Sequence, residues 1–150
     1  MKHLFQPPTI REVKDRLANV QSESAPRWGL MRPEQMLAHC SLSFQMAMGE
    51  LNPRRRLLGR VFGPIARRSL IDRGEPMRRL APTATSLIVT DERDFAAERA
   101  RLCQMIDRFV AGGPPAVTKR PHFFLGPMTP VEWAALMYVH LDHHLRQFQT

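Results

Sequence analysis

Residues 129–148 read TPVEWAALMYVHLDHHLRQF, and this stretch decides the fold. Thr129 is a favourable N-cap residue, Pro130 suits the first helical position, and Glu132, three residues after the cap, completes a capping box. Apolar residues then recur at helical spacing. The sequence therefore predicts a long amphipathic helix from Pro130 to about Phe148.

One face of this helix carries two histidines. His140 and His144 are four residues apart, so they stand one turn apart on the same side, which is how a helix presents two imidazoles to one divalent metal ion. His143 falls toward the far edge of this arc, where it could lie at the rim of a pocket. The arc also holds three apolar residues, Trp133, Met137 and Phe148.

Three more long helices are predicted upstream. Thr9 and Glu12 form a second capping box, and Pro33 suits a first helical turn. Proline and glycine are expected to end the later two helices. The predicted spans are Thr9 to about Val20, Pro33 to Pro53, and Thr90–Asp91 to Gly112.

Residues 54–82 are expected to form a short basic helix followed by an irregular stretch. Arginines accompany the apolar residues from Leu57 to Ile65. We expect this helix to break at Gly63–Pro64, because proline removes a backbone donor and clashes with the preceding turn. The irregular part runs through Gly74, Pro76 and Pro82.

These elements predict an all-α fold in a single domain over residues 1–150. Its simplest form is a four-helix bundle with the short extra basic helix between the second and third long helices. The connection at that point is too long for adjacent antiparallel neighbours, so we expect a crossover connection. Ser86 to Val89 is the one stretch that suggests a strand.

The second helix supplies a third candidate ligand. His39 lies about 100° from the centre of that helix's apolar arc, on a flank facing the groove between helices where bundles build metal sites. Three neutral imidazoles would leave coordination positions for water or substrate, as catalytic sites do. Histidines at this spacing can instead be ordinary hydrogen-bonded residues. A shared metal is favoured because an unsatisfied buried polar group costs roughly 1–3 kcal/mol and the pair has few polar neighbours.

Composition limits the partners and the location. The formal net charge is +8, and much of it lies in arginines between Arg54 and Arg79 without interleaved aromatic residues to stack on bases, which argues against nucleic acid. No apolar run approaches the roughly 20 residues of a membrane span. No apolar secretory core follows Met1, so we expect a cytoplasmic location. Cys40 and Cys103 are expected to be reduced and buried.

Four segments together form a pattern more specific than any single histidine pair: Trp28–Met31, Met36–Cys40, Phe124–Trp133 and His140–Phe148. This pattern resembles a branch of the DinB/YfiT-like superfamily, most of whose members have no assigned function. The resemblance covers nearly the whole chain.

The resemblance implies a fold and a metal site. The superfamily fold is a four-helix bundle in which one histidine of helix two and an H-x-x-x-H pair of helix four bind a divalent metal such as nickel or zinc. Carried over, these ligands are His39, His140 and His144. Relatives include S-transferases that use low-molecular-weight thiols, and metal-dependent hydrolases. Relatives often pair, so the resemblance allows a homodimer.

Two hypotheses of function follow. In the first, the chain is a metal-dependent enzyme of hydrolase or thiol S-transferase type, in which the ion lowers the pKa of a water or thiol that attacks a small-molecule substrate. Gln147, one turn beyond His143, could orient a group in the shell around the ligands. Trp28 and Trp133 could wall the pocket, although core packing is the simpler explanation of both. In the second, the chain is a non-catalytic, metal-stabilised binding or assembly module whose Arg-rich segment docks an acidic partner, nucleic acid or a membrane surface.

Overall fold

The computed structural model describes residues 1–79, 81 and 83–150, so Pro82 of the predicted irregular stretch lies outside the described residues. Five α-helices occur in these ranges: α1 (Pro7–Ala18), α2 (Pro33–Ala47), α3 (Leu57–Arg67), α4 (Phe95–Gly112) and α5 (Pro130–Gln147). A π-helical turn, Arg68–Asp72, continues α3, and 3-10 turns cover Thr85–Leu87 and Pro114–Ala116. Apart from one isolated bridge between His122 and Gly126, the described residues form no β-structure. The prediction of an all-α fold is confirmed.

The N-terminus of α5 is the one the sequence predicts. The Glu132 amide donates to Thr129 Oγ1 at 3.3 Å, and the Thr129 amide donates to the Glu132 carboxylate at 2.7 Å. Glu132 also forms an ion pair with Arg67, which joins the end of α3 to the start of α5. Glu132 is therefore a capping residue, as expected.

The predicted capping box at Thr9 is wrong. The first helix begins two residues earlier, at Pro7, with Gln6 as its N-cap. Thr9 lies inside the first turn, where its hydroxyl donates to Gln6 Oε1 at 3.3 Å. Proline fits the first turn because its missing N–H has no helical partner there, and here that preference prevails over the threonine signal. The helix ends at Ala18, before Val20.

Two other predicted boundaries also shift. Helix α2 ends at Ala47 rather than near Pro53, because Gly49 takes a left-handed conformation with φ +81° that turns the chain out of the helix. Helix α4 begins at Phe95, not at Thr90–Asp91, since Asp94 is the N-cap and accepts from the Ala97 amide at 2.6 Å.

Helix α3 passes through Gly63–Pro64 without the expected break, so that prediction is wrong. Pro64 deprives the Arg60 carbonyl of its helical donor. Arg60 and Pro64 are both exposed, so water can hydrate the Arg60 carbonyl and no buried group is left unsatisfied. The predicted strand at Ser86–Val89 is also wrong, since Thr85–Leu87 forms a 3-10 turn.

Helix α2 is the central element, and this places His39. Twelve of its 15 residues are buried, because it packs against α4, α5 and the Thr85–Leu87 turn. The flank that carries His39 is therefore enclosed rather than left in an open groove. Helix α1 packs on the other side of α5, where Arg16 pairs with Asp142 at 2.8 Å.

The remaining composition-based expectations concern thiols and membrane spans. Cys40 is buried and Cys103 is partly buried, and both are free thiols. Burial raises the pKa of the Cys40 thiol. Among the described residues, no helix combines the length and apolar character needed to cross a membrane.

Candidate metal centre

Three imidazole nitrogens meet between α2 and α5. His39 Nε2 lies 3.0 Å from His140 Nε2, and His144 Nε2 lies 3.2 Å from the same atom. The candidate ligand atoms of all three residues lie within 4.8 Å of one another. The structure thus brings together the three residues that the sequence singles out, from opposite ends of the chain.

The outer nitrogens of two rings are held by oxygen acceptors. His39 Nδ1 lies 2.7 Å from the Leu87 carbonyl, and His144 Nδ1 lies 2.8 Å from Gln147 Oε1. An oxygen at this distance requires a proton on Nδ1, so a neutral ring then carries its lone pair on Nε2. Both Nε2 lone pairs point into the cluster. Metal-binding histidines are held by such outer hydrogen bonds, which fix the tautomer.

The protons available cannot satisfy this cluster. If His140 carries a proton on Nε2, it can donate to His39 or to His144 but leaves the other lone pair facing it without a donor. If the proton is on Nδ1, three lone pairs converge. A cation at the centre would satisfy all three, which is the reason to regard the cluster as a metal centre.

The spacing also suits a divalent ion. Zinc-to-imidazole bonds are about 2.0–2.1 Å, so two ligands in tetrahedral geometry stand about 3.3 Å apart. The two measured nitrogen separations, 3.0 and 3.2 Å, are close to this value. Three protein ligands leave at least one position for another donor, which distinguishes catalytic sites from closed structural ones.

Burial keeps the three imidazoles neutral. Desolvation lowers the pKa of His144 to about 3, with the neighbouring His39 adding to the effect. Desolvation also lowers the pKa of His140 well below its usual value, helped by His144 and His39. The pKa of His39 is lowered by burial and partly restored by its hydrogen bond to Leu87. Neutral imidazole is the form that binds metals.

His140 is the least buried residue of the cluster. His39 and His144 are 4% and 7% exposed, whereas His140 is only partly buried. An exogenous donor or substrate would therefore approach beside His140, between the two helices.

A row of edge-to-face and tilted ring contacts borders the cluster. The His143 ring lies 5.1 Å from the His144 ring and 5.4 Å from the Trp28 ring, and the Arg79 guanidinium lies over Trp28 at 4.4 Å. Desolvation lowers the pKa of His143, and the Met77 backbone partly restores it. His143 and Trp28 therefore lie beside the cluster and outside the three-nitrogen set.

The other aromatic candidates belong to the core. Phe148 is buried in the hydrophobic cluster, and Trp133 is almost fully buried. Trp133 also lines a cavity of about 210 Å³ together with Met46. Because Trp133 precedes His140 by two turns of α5 and Met46 follows His39 by two turns of α2, this cavity is separated from the cluster by roughly 10 Å along each helix.

The family comparison agrees with the span of these elements. The model of a family described as "Protein of unknown function (DUF1569)" matches residues 8–150. The chain belongs to this family. No curated protein and no solved structure matches the chain.

The sequence did not predict several of the contacts around the histidine cluster. The acceptors at Leu87 and Trp28 are backbone carbonyls, which have no side-chain signature. The role of His122, which lies outside the cluster, was not predicted either. Its Nδ1 accepts from the Phe124 and Leu125 amides at 3.1 and 3.0 Å, which closes the loop before α5. Its position immediately before the aromatic pair Phe123–Phe124 gave no signal of that role.

Proposed function

We propose that this DUF1569 chain is a metal-dependent enzyme that holds nickel or zinc on His39, His140 and His144 and acts as a hydrolase or a thiol S-transferase on a small-molecule substrate. The observation that carries the proposal is the convergence of three imidazole nitrogens, with His140 Nε2 3.0 Å from His39 Nε2 and 3.2 Å from His144 Nε2, and with all candidate ligand atoms within 4.8 Å of one another. Two of these rings have their protons committed to oxygen acceptors on the outer side.

The residues around the site have different roles in the proposed activity. A divalent ion held there would supply a Lewis acid that lowers the pKa of a water or thiol. The Leu87 carbonyl and Gln147 orient the rings of His39 and His144. His140 is the least buried of the three residues, so we expect a substrate to approach on its side. Because the flanking helices bury the other two rings, they exclude water from the inner side.

We further propose that the family shares the DinB/YfiT-like architecture. Support comes from the long helices α1, α2, α4 and α5, with α2 packed on both α4 and α5 and α1 packed on α5. The connection over residues 48–94 holds the short basic helix α3, where a crossover bundle would carry it. Cytoplasmic location and a homodimer stay predictions of the sequence.

Cobalt substitution tests the enzymatic proposal without knowledge of the substrate. Co²⁺ bound by three imidazoles and water has a visible spectrum that changes when an added thiol or azide enters the coordination sphere. We expect a saturable spectral change in the parent and in His143→Ala, and no Co²⁺ spectrum in His140→Ala. A parent that binds Co²⁺ but shows no change with either ligand would have a closed structural site, which would contradict the proposal.

A second candidate, the non-catalytic metal-stabilised module, is favoured by one observation. The Arg-rich segment carries large apolar side chains that are exposed on α3, as a docking element would. This candidate predicts that chelation unfolds the protein, because the metal would then hold the helices together. The enzymatic proposal predicts a folded apoprotein, so circular dichroism after chelation separates the two.

A further inference from the structure

Helix α3 turns its apolar side toward solvent. Its five large apolar residues are between 53% and 76% exposed: Leu57, Leu58, Val61, Phe62 and Ile65. On a helical projection they occupy one arc of about 140°, which we call the α3 apolar face. Soluble proteins rarely leave contiguous patches of this kind uncovered.

Two glycines fix this orientation. Gly59 and Gly63 lie on the opposite side of α3 and are buried against the backbone of Phe124. A Cβ atom at these positions would stand 2.7 and 2.2 Å from the Phe124 carbonyl oxygen, so only glycine allows the helix to approach this closely. Rotation of the helix to bury its apolar face would lose this contact. The exposure is therefore built into the packing.

Arginines are concentrated on α3 and in the segments next to it. Residues 51–71 contain six arginines and no acidic residue: Arg54, Arg55, Arg56, Arg60, Arg67 and Arg68. Among the described residues, only Arg67 of this group forms an ion pair, with Glu132. Arg60 is exposed and lies about 60° beyond the Leu57 edge of the apolar arc, and Arg54 is exposed in the segment that precedes α3. The surface thus combines an apolar face with positive charge along one edge and just before the helix.

We propose that α3 docks this protein on an anionic lipid surface. A helix with a strongly apolar face and an arginine-rich margin lies in the plane of a bilayer interface, with its apolar side chains among the acyl chains and its guanidinium groups at the phosphates. The absence of acidic residues over residues 51–71 suits a negative surface potential. This inference is independent of the metal centre.

Charge decides between a membrane and a second copy of the chain. A two-fold pairing of α3 faces would bring the same arginines of both copies together, and like charges across an interface cost free energy. The net charge of +8 adds to this repulsion. An anionic bilayer supplies the opposite charge and accepts the apolar side chains at the same time.

Vesicle sedimentation tests the proposal on the full chain. Vesicles of phosphatidylcholine alone are compared with an equimolar mixture of phosphatidylcholine and phosphatidylglycerol. We expect the parent to bind the mixed vesicles, and to be released by high salt. The Leu58→Ser/Phe62→Ser double variant should lose at least about tenfold in affinity. Ile88→Ser serves as a matched control because Ile88 is 54% exposed outside α3.

The remaining outcomes count against the proposal. Failure of the parent to bind mixed vesicles, equal binding to both vesicle types, or unchanged binding by the double variant would each overturn it. Sedimentation equilibrium tests whether a second copy of the chain covers the α3 apolar face instead. A parent that is a dimer and a double variant that is a monomer would assign this face to a second copy. Thermal unfolding of the variants should match the parent, because the substituted side chains are exposed.

Discussion

His144 Nδ1 lies 2.8 Å from Gln147 Oε1, and Gln147 Nε2 donates to the Trp28 carbonyl at 2.7 Å. The second contact fixes which end of the Gln147 amide faces His144, because a carbonyl accepts only from the NH₂ end. Gln147 therefore holds a proton on the outer nitrogen of His144 and leaves the inner nitrogen with its lone pair. The same side chain ties the loop at Trp28 to the end of α5.

Replacing Gln147 should weaken metal binding without removing a ligand. Gln147→Met keeps the side-chain length but removes the acceptor of His144, and loss of such a contact typically costs 10–100-fold in metal affinity. Competition with a chromophoric chelator measures the change. Arg146→Met is the matched control, since Arg146 is adjacent and exposed. Equal affinities for parent and Gln147→Met would show that the His144 ring is oriented by packing alone.

Removal of metal should leave the helical fold intact. The hydrophobic core extends well beyond the histidine cluster: it includes Phe44 and Phe109, whose rings pack 5.5 Å apart between α2 and α4. A ligand at 100–1,000 times its dissociation constant adds about 3–4 kcal/mol of stability, which corresponds to a rise in Tm of about 10 °C for a chain of this length. We expect a loss of that size on chelation, with the helical circular dichroism preserved. Unfolding at room temperature would favour the metal-stabilised module.

Acid should destabilise the protein partly through His122. Burial lowers the pKa of His122 to about 4 from 6.5, and its Nδ1 accepts two backbone amides. The unfolded chain therefore binds more protons between these pH values, so the stabilisation from His122 is complete above pH 6.5 and is lost as the pH falls toward 4. The full loss is about 3 kcal/mol, measurable by urea unfolding across this range.

An asparagine variant separates His122 from the other buried histidines. In His122→Asn the side-chain oxygen can still accept from the backbone amides of the loop, but it does not titrate. The stability of this variant should fall by about 3 kcal/mol less than that of the parent between pH 7.5 and pH 4. An identical pH dependence in both proteins would contradict the role given to His122.

A methyl group at Gly63 should detach α3 from the loop at Phe124. The added Cβ would lie 2.2 Å from the Phe124 carbonyl oxygen, so backbone must move, at a cost of about 1–3 kcal/mol for overpacking. This exceeds the gain of up to about 1 kcal/mol that alanine brings to a helix interior. Chemical denaturation of Gly63→Ala shows whether the free energy of unfolding falls or rises, and the exposed Arg60→Ala serves as the control. Stabilisation by Gly63→Ala would mean that the close approach does not exist.

Signals that are local in the chain predicted the structure best. The Thr129 capping box and the helical spacing of His140 and His144 depend on neighbours within four residues, and the structure has both. The capping box predicted at Thr9 was wrong because Pro7 provides an earlier helix start, and its preference for the first turn prevails over the threonine signal. The break expected at Pro64 was wrong because Arg60 and Pro64 are exposed, so water can hydrate the freed Arg60 carbonyl, and that exposure depends on tertiary packing.

The sequence predicted the three histidine side chains of the site, but not the contacts that hold their rings. Spacing on two helices brings forward His39, His140 and His144, but the acceptors that set their tautomers are the Leu87 carbonyl and the Gln147–Trp28 pair. A backbone carbonyl reaches a ring only through tertiary packing, which the sequence of that turn does not encode locally. The near-complete burial of His39 likewise follows from the enclosure of α2 by its neighbours.

Elemental analysis of purified protein tests the metal centre most directly. After reconstitution with nickel or zinc, the parent should hold close to one ion per chain, and His143→Ala should match it because His143 lies outside the three-nitrogen set. His39→Ala and His144→Ala should hold little or none while keeping their helical circular dichroism. A parent without metal after reconstitution, or full metal content in either ligand variant, would contradict the account.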